Sequence, residues 1–240
     1  MKILIFMSDN RLLENDFSKA QYNSLAASIN YEYSKKYGYD FIYYRPYLNS
    51  NEILENNCID PNTKLLRHCA WSKLLSTRLA LELNYDYVVY IDSDCIFKNF
   101  FISLEQFINP YVNNNWIFLN NTPWGDDVPC SGFFICKVCP DVKEFVKEWY
   151  AYDFKTNKNP CRWEQGALWK LYKDPKYNIV IHKELMFIEK EGQFLRHVAT
   201  FEKTKRIPYF TQFIKDNNIS FENNISEIKC IEFNTTVGFD

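Results

Sequence analysis

At 240 residues with 47% hydrophobic side chains, the chain is long enough to bury about 70–75% of its unfolded surface and needs no disulfide or metal staple to fold. Its 28 basic and 30 acidic residues leave a net charge of −2, which argues against the clustered basic surface of a nucleic-acid binder or a polybasic membrane patch. With six glycines, glycine-rich phosphate loops are scarce, so any phosphate must be held in another way.

No stretch approaches the roughly 20 apolar residues of a membrane span. The apolar run at residues 3–7 is shorter than a signal-peptide core and meets Ser8-Asp9-Asn10 at once. A cytoplasmic location is the expectation. The eight cysteines are scattered, with Cys136 and Cys139 forming a lone C-x-x-C, so reduced and mostly buried thiols are expected.

In chain order, residues 3–7 read as a buried strand. Tyr22, Leu25, Ile29, Tyr33 and Tyr37 recur at three- and four-residue steps, which predicts an amphipathic helix over 16–37 closed by Lys35, Lys36 and Gly38. A strand over 41–44 and a polar loop over 45–61 follow. A second helix is predicted over 65–83, with Leu75, Leu79 and Leu83 on one stripe. The run Tyr87-Val88-Val89-Tyr90-Ile91 is apolar on both faces, as a central parallel strand requires, and it ends at Asp92-Ser93-Asp94. Strands are expected over 116–119 and 132–136. Pro140 and Asp141 open a helix that turns Val142, Phe145, Val146 and Trp149 inward. A further helix over 162–172 and a short strand over 179–181 precede irregular chain from 192 to about 210. Strands alternating with helices predict an α/β fold: a mixed, mostly parallel sheet flanked by helices.

The sharpest chemical feature is Asp92-Ser93-Asp94 at a strand's carboxyl end, the edge where open α/β sheets bind ligands. Residues i and i+2 of an extended chain face the same side. Two carboxylates there make a hard oxygen site for Mn²⁺ or Mg²⁺. The spacing alone is also met by turn or helix-capping acids. An apolar strand ending in Asp-x-Asp further fits a haloacid-dehalogenase-type phosphatase with Asp92 as nucleophile, although that class places its motif on an early strand.

In this arrangement the sequence resembles the GT-A-fold nucleotide-sugar glycosyltransferases, nearest to the retaining glycogenin-like and galactosyl-, mannosyl- and xylosyltransferase families. Trp71-Ser72-Lys73-Leu74, the strand with Asp92-Ser93-Asp94, Ser131-Gly132-Phe133-Phe134 and Glu164-Gln165-Gly166-Ala167-Leu168 occur in family order, and His197 with Lys203 is a looser fifth match. Cys130 stands where those families usually carry Asn, Glu164 where Asp is commoner, and Thr200 where Gly is usual.

The resemblance implies a Rossmann-like GT-A domain over 1–240, with a nucleotide-binding half at 1–94 and a sugar- and acceptor-binding half at 95–240. It implies a metal held by Asp92, Asp94 and His197. Ser8, Asp9, Lys73, Ser93, Ser131, Gly132 and Lys203 are then donor contacts, and Glu164 and Gln165 are catalytic. The implied reaction moves a sugar from a nucleotide-sugar donor, a UDP-sugar by family analogy, to a glycan, protein or small-molecule hydroxyl with retention. Tyr43 or Tyr44 is a candidate to stack on the base. Trp124 is one for an acceptor sugar, beside Asp126 and Asp127. A sugar- or nucleotide-binding protein of the same fold without turnover is the non-enzymatic alternative. Neither nucleic acid nor a membrane span is expected.

Overall fold

Apolar runs decide the centre of the sheet. The computed structural model describes residues 1–48, 54–120, 127–153, 163–182, 186–187, 193–199 and 201–236, with the side chains of Asn120, Met186, Phe187 and Lys203 outside that description. The strands are β1 (Ile3–Ser8), β2 (Asp40–Tyr47), β3 (Cys58–Ile59), β4 (Leu66–Arg67), β5 (Tyr87–Ile91), β6 (Cys95–Phe97), β7 (Trp116–Asn120), β8 (Pro129–Lys137), β9 (Ile179–His182), β10 (Met186–Phe187), β11 (Leu195–His197) and β12 (Lys229–Asn234). The helices are α1 (Tyr22–Tyr37), α2 (Ser72–Leu81), α3 (Leu104–Ile108), α4 (Pro140–Tyr150), α5 (Glu164–Leu171), α6 (Lys203–Asp216) and α7 (Phe221–Glu227).

Seven strands form one sheet in the order β12-β2-β1-β5-β8-β7-β9. All its pairings are parallel except the two made by β8. The fully buried β1 and β5 sit in the middle, as their two-sided apolar sequences require. Successive residues face opposite layers. Ile3, Ile5 and Met7 pack with α1, α6 and α7 on one face, and Leu4 and Phe6 pack with α2, α4 and α5 on the other. Because β8 runs against β5, its first residues lie beside the last residues of β5. A three-stranded sheet, β10-β11-β6, stands next to that edge.

Several boundaries differ from the sequence expectation. The first helix starts at Tyr22 rather than 16, because the Asp16 carboxylate accepts from the Ser18 backbone N–H and hydroxyl and holds a local turn instead. Residues 45–47 extend β2 and 58–59 form β3, so the 45–61 loop is shorter than predicted. The helix expected from 65 begins at Ser72. Before it, β4 pairs with β3, and His68 Nδ1 accepts from the Ala70 N–H to cap a 3₁₀ turn over Cys69–Trp71. The chain after 192 is more regular than predicted, with β11, α6, α7 and the edge strand β12. All seven described cysteines are free thiols. No described helix is long and apolar enough to cross a membrane.

Candidate active site

One strand end and one short antiparallel pairing bring two acids and a histidine together. β5 leaves the sheet at Asp92, whose N–H donates to the Gly132 carbonyl at 2.8 Å. The chain turns at once into β6, which pairs with β11 so that His197 lies opposite Cys95. The Val198 N–H then donates to the Asp94 carbonyl at 2.9 Å. His197 Nε2 sits 3.0 Å from Asp94 Oδ1 and 3.8 Å from Asp92 Oδ2. One ligand atom from each of the three residues lies within 4.8 Å of the others.

The second oxygen of each carboxylate is held from behind. Asp92 Oδ1 accepts from Lys73 Nζ at 3.0 Å and from the Tyr90 hydroxyl at 2.5 Å. Asp94 Oδ2 accepts from Arg206 Nη1 at 2.8 Å. Each aspartate therefore turns its other oxygen toward the imidazole, an orientation set by outer contacts. Burial raises the Asp94 pKa, but the charge and hydrogen bond of His197, then Arg206 and Lys73, outweigh it and keep the group below the usual carboxylate range. Burial likewise pulls the His197 pKa down. The Asp94 charge and hydrogen bond reverse this and hold it well above the ordinary imidazole value.

The donor set fits a divalent cation. It offers two hard carboxylate oxygens and one imidazole nitrogen. Space for the cluster depends on Gly132. A Cβ there would meet His197 Cε1 at 2.5 Å and Asp92 Oδ2 at 3.0 Å, so only glycine allows this close approach. Gly132→Ala is expected to push the three side chains apart and weaken any divalent-cation binding there by at least about 10-fold, the scale on which disturbed ligand orientation acts. Calorimetric titration with Mn²⁺ measures this, and wild-type affinity in the variant would refute it.

Beneath the acids lies a buried ion pair. Lys73 Nζ is 3.0 Å from Asp92 Oδ1, 2.9 Å from Glu164 Oε1 and 3.2 Å from the Ser131 carbonyl. These are three acceptors for the three N–H donors of an ammonium. Lys73 is thus held by three groups of the protein itself. Glu164 Oε1 also accepts from the Ser131 hydroxyl at 2.8 Å, while its Oε2 is buried with no hydrogen-bond partner. Gln165 fastens α5 to β8: its Oε1 accepts from the Ser131 N–H and its Nε2 donates to the Pro129 carbonyl.

The β1 side of the cluster is polar. Ser8 Oγ lies 3.3 Å from Ser72 Oγ. Arg11 grips Asp9 with Nε and Nη2, and Nη2 also donates to Ser93 Oγ at 3.3 Å. Asp9 is therefore ion-paired with Arg11. Tyr43 and Tyr44 are almost fully buried in the core, which corrects their assignment to base stacking. Lys203 opens α6 with its side chain outside the described residues, as are Trp124 and Asp126, whereas Asp127 is exposed.

This architecture has counterparts among solved structures. A glycosyltransferase involved in glycosylation of the major capsid of PBCV-1 matches with a TM-score of 0.63 over 88% of this chain and 100% of that one, at 16% identity. The glycosyltransferase GlyE of Streptococcus pneumoniae TIGR4 matches with a TM-score of 0.52 over 94% of this chain and 62% of that one, at 11% identity. The chain has a GT-A-like glycosyltransferase fold. No protein-family model matches the chain, and no curated protein matches it in sequence. Within this GT-A-like fold, Asp92, Asp94 and His197 meet at the sheet edge, with Gly132, Ser131, Lys73, Glu164 and Gln165 packed around them.

Arg206 and Arg11 escaped the sequence reading. Arg206 lies on the first turn of α6, in chain expected to be irregular. Arg11 sits in a short polar stretch where nothing local distinguishes it. Cys130, noted as a departure from Asn, has its Sγ 4.0 Å from His197 Nδ1, so it backs the imidazole.

Proposed function

We propose that this protein is a metal-dependent glycosyltransferase that moves a sugar from a nucleoside-diphosphate sugar, a UDP-sugar by family analogy, to a hydroxyl acceptor with retention of configuration. The observation that carries the reading is the meeting of Asp92, Asp94 and His197 within 4.8 Å at the ligand edge of a glycosyltransferase-like sheet. Residues 1–94 supply the nucleotide side and 95–240 the sugar and acceptor side. A phosphatase using Asp92 as nucleophile is disfavoured, since Asp92 Oδ1 is already engaged by Lys73 and Tyr90.

Asp92, Asp94 and His197 would hold Mn²⁺, which supplies Lewis-acid neutralisation of the departing diphosphate. Ser8, Asp9 and Ser93 line the nucleoside side, and Lys203 at the start of α6 is a candidate cation for the diphosphate. Lys73 orients two carboxylates at once, Asp92 for the metal and Glu164 for the sugar. Glu164, whose Oε2 has no hydrogen-bond partner, would stabilise the positive charge that develops at the anomeric carbon. Gln165 fixes Ser131 and so the Glu164 rotamer, and Gly132 leaves room above the strand.

A thermal-shift panel of nucleotide sugars with and without Mn²⁺ tests this. A true donor at 100 times its Kd is expected to stabilise the fold by about 2.7 kcal/mol, and only with the metal present. Equal shifts without Mn²⁺, or none with any donor, would overturn the proposal.

A further inference from the structure

Trp71, Trp116 and Trp149 are essentially fully buried, whereas Trp163 is 55% exposed. An indole in water presents a broad, flat apolar face. Trp163 is not loosely placed. Its ring stacks on the His68 imidazole, with centroids 5.2 Å apart and planes 27° apart. His68 is fixed in turn, because its Nδ1 accepts from the Ala70 N–H at 3.1 Å. The exposed ring is therefore backed by a rigid plate.

Its location is specific. His68 precedes the turn that opens α2, the helix carrying Lys73. Trp163 is the residue immediately before Glu164, the first residue of α5. Lys73 and Glu164 form the buried pair, with Nζ 2.9 Å from Oε1, and Lys73 also holds Asp92. The aromatic pair thus links the chain just before the two helices that carry the site's cation and acid.

We infer that the Trp163–His68 stack is the acceptor subsite and that it takes the C–H face of a pyranose ring, so that the acceptor is a saccharide. This rests on the glycosyltransferase reading. A pyranose has an apolar C–H face and a hydroxyl-bearing edge. A flat indole matches the first and leaves the second free for polar partners. A long lipid chain needs a groove, and a peptide needs an exposed strand edge or several pockets. Among the described residues, a single backed plate offers neither.

The probes are the methyl α- and β-pyranosides of glucose, galactose, mannose and xylose, tested on the full chain with Mn²⁺ by saturation-transfer-difference NMR and tryptophan fluorescence. At least one pyranoside is expected to bind through its C–H face. Trp163→Ala should weaken that binding at least 10-fold, and Trp163→Phe should restore part of it. The Mn²⁺-dependent nucleotide-sugar shift should be the same in both variants as in wild type, which also shows that they fold. No binding by any pyranoside, or equal binding by Trp163→Ala, would overturn the subsite. Loss of the nucleotide-sugar shift in wild type with pyranoside binding intact would instead overturn the glycosyltransferase reading.

Discussion

Asp94→Ala is expected to abolish both Mn²⁺ binding and sugar transfer. Asp94 contributes one ligand oxygen to the cluster, and its other oxygen anchors Arg206 at 2.8 Å. The variant loses a metal ligand and leaves a positive guanidinium beside the vacant position. Both effects oppose cation binding. If the metal supplies about 4 kcal/mol of charge stabilisation to the departing diphosphate, turnover falls by about a thousand-fold. Asp94→Asn separates charge from shape: it keeps the size and still leaves Mn²⁺ binding severely weakened. Calorimetric titration with Mn²⁺ and nucleotide release from the donor found by thermal shift are the measurements. Wild-type Mn²⁺ affinity in Asp94→Ala would remove the acids from the metal site.

The parts of this site legible in the sequence are those that local physics encodes. A run apolar on both faces marks β5 as central, and a strand's end is where its polar residues emerge, so Asp92 and Asp94 were visible at once. His197 was visible only through resemblance. It reaches the acids by a three-residue pairing between β11 and β6, and so short a strand carries no periodicity of its own. Lys73 read as a helix lysine with a phosphate to hold. Its burial and its two carboxylate partners come from α2 packing over β1 and β5 and from the start of α5, which no local pattern reports. Arg206 was hidden because the start of α6 breaks local rules. Lys203, Lys205 and Arg206 crowd the positive end of the helix dipole, the first turn has no acid, and Pro208 lies inside the helix. Sequence that contradicts its own local structure tends to mark sites where function sets the residue. Here one of those misplaced cations meets Asp94.

Lys73→Met tests whether the site's two halves are one electrostatic unit. Lys73 and Glu164 are each only about 5% exposed at the side chain, and Asp92 about 25%. Burial pulls the Lys73 pKa down, but the charges of Asp92 and Glu164 more than compensate and raise it above the ordinary lysine value. The ammonium is therefore present because the carboxylates are. Methionine is one heavy atom shorter but fills most of the same volume, so the expected loss is mainly electrostatic. Two carboxylates would be left facing each other, Glu164 fully desolvated, and removal of one partner from a buried pair typically costs about 3–5 kcal/mol. Urea denaturation monitored by circular dichroism reads this directly. The double variant Lys73→Met, Glu164→Gln is expected to recover much of the loss, since it takes away the stranded charge as well as its partner. On the proposed function, transfer activity should not return with stability, because Glu164 would no longer carry charge for the sugar and Asp92 would no longer be held for the metal. A single-variant loss under 1 kcal/mol would mean that Lys73 is not what compensates these acids. Recovery of activity together with stability in the double variant would mean that Glu164 has no part in the chemistry.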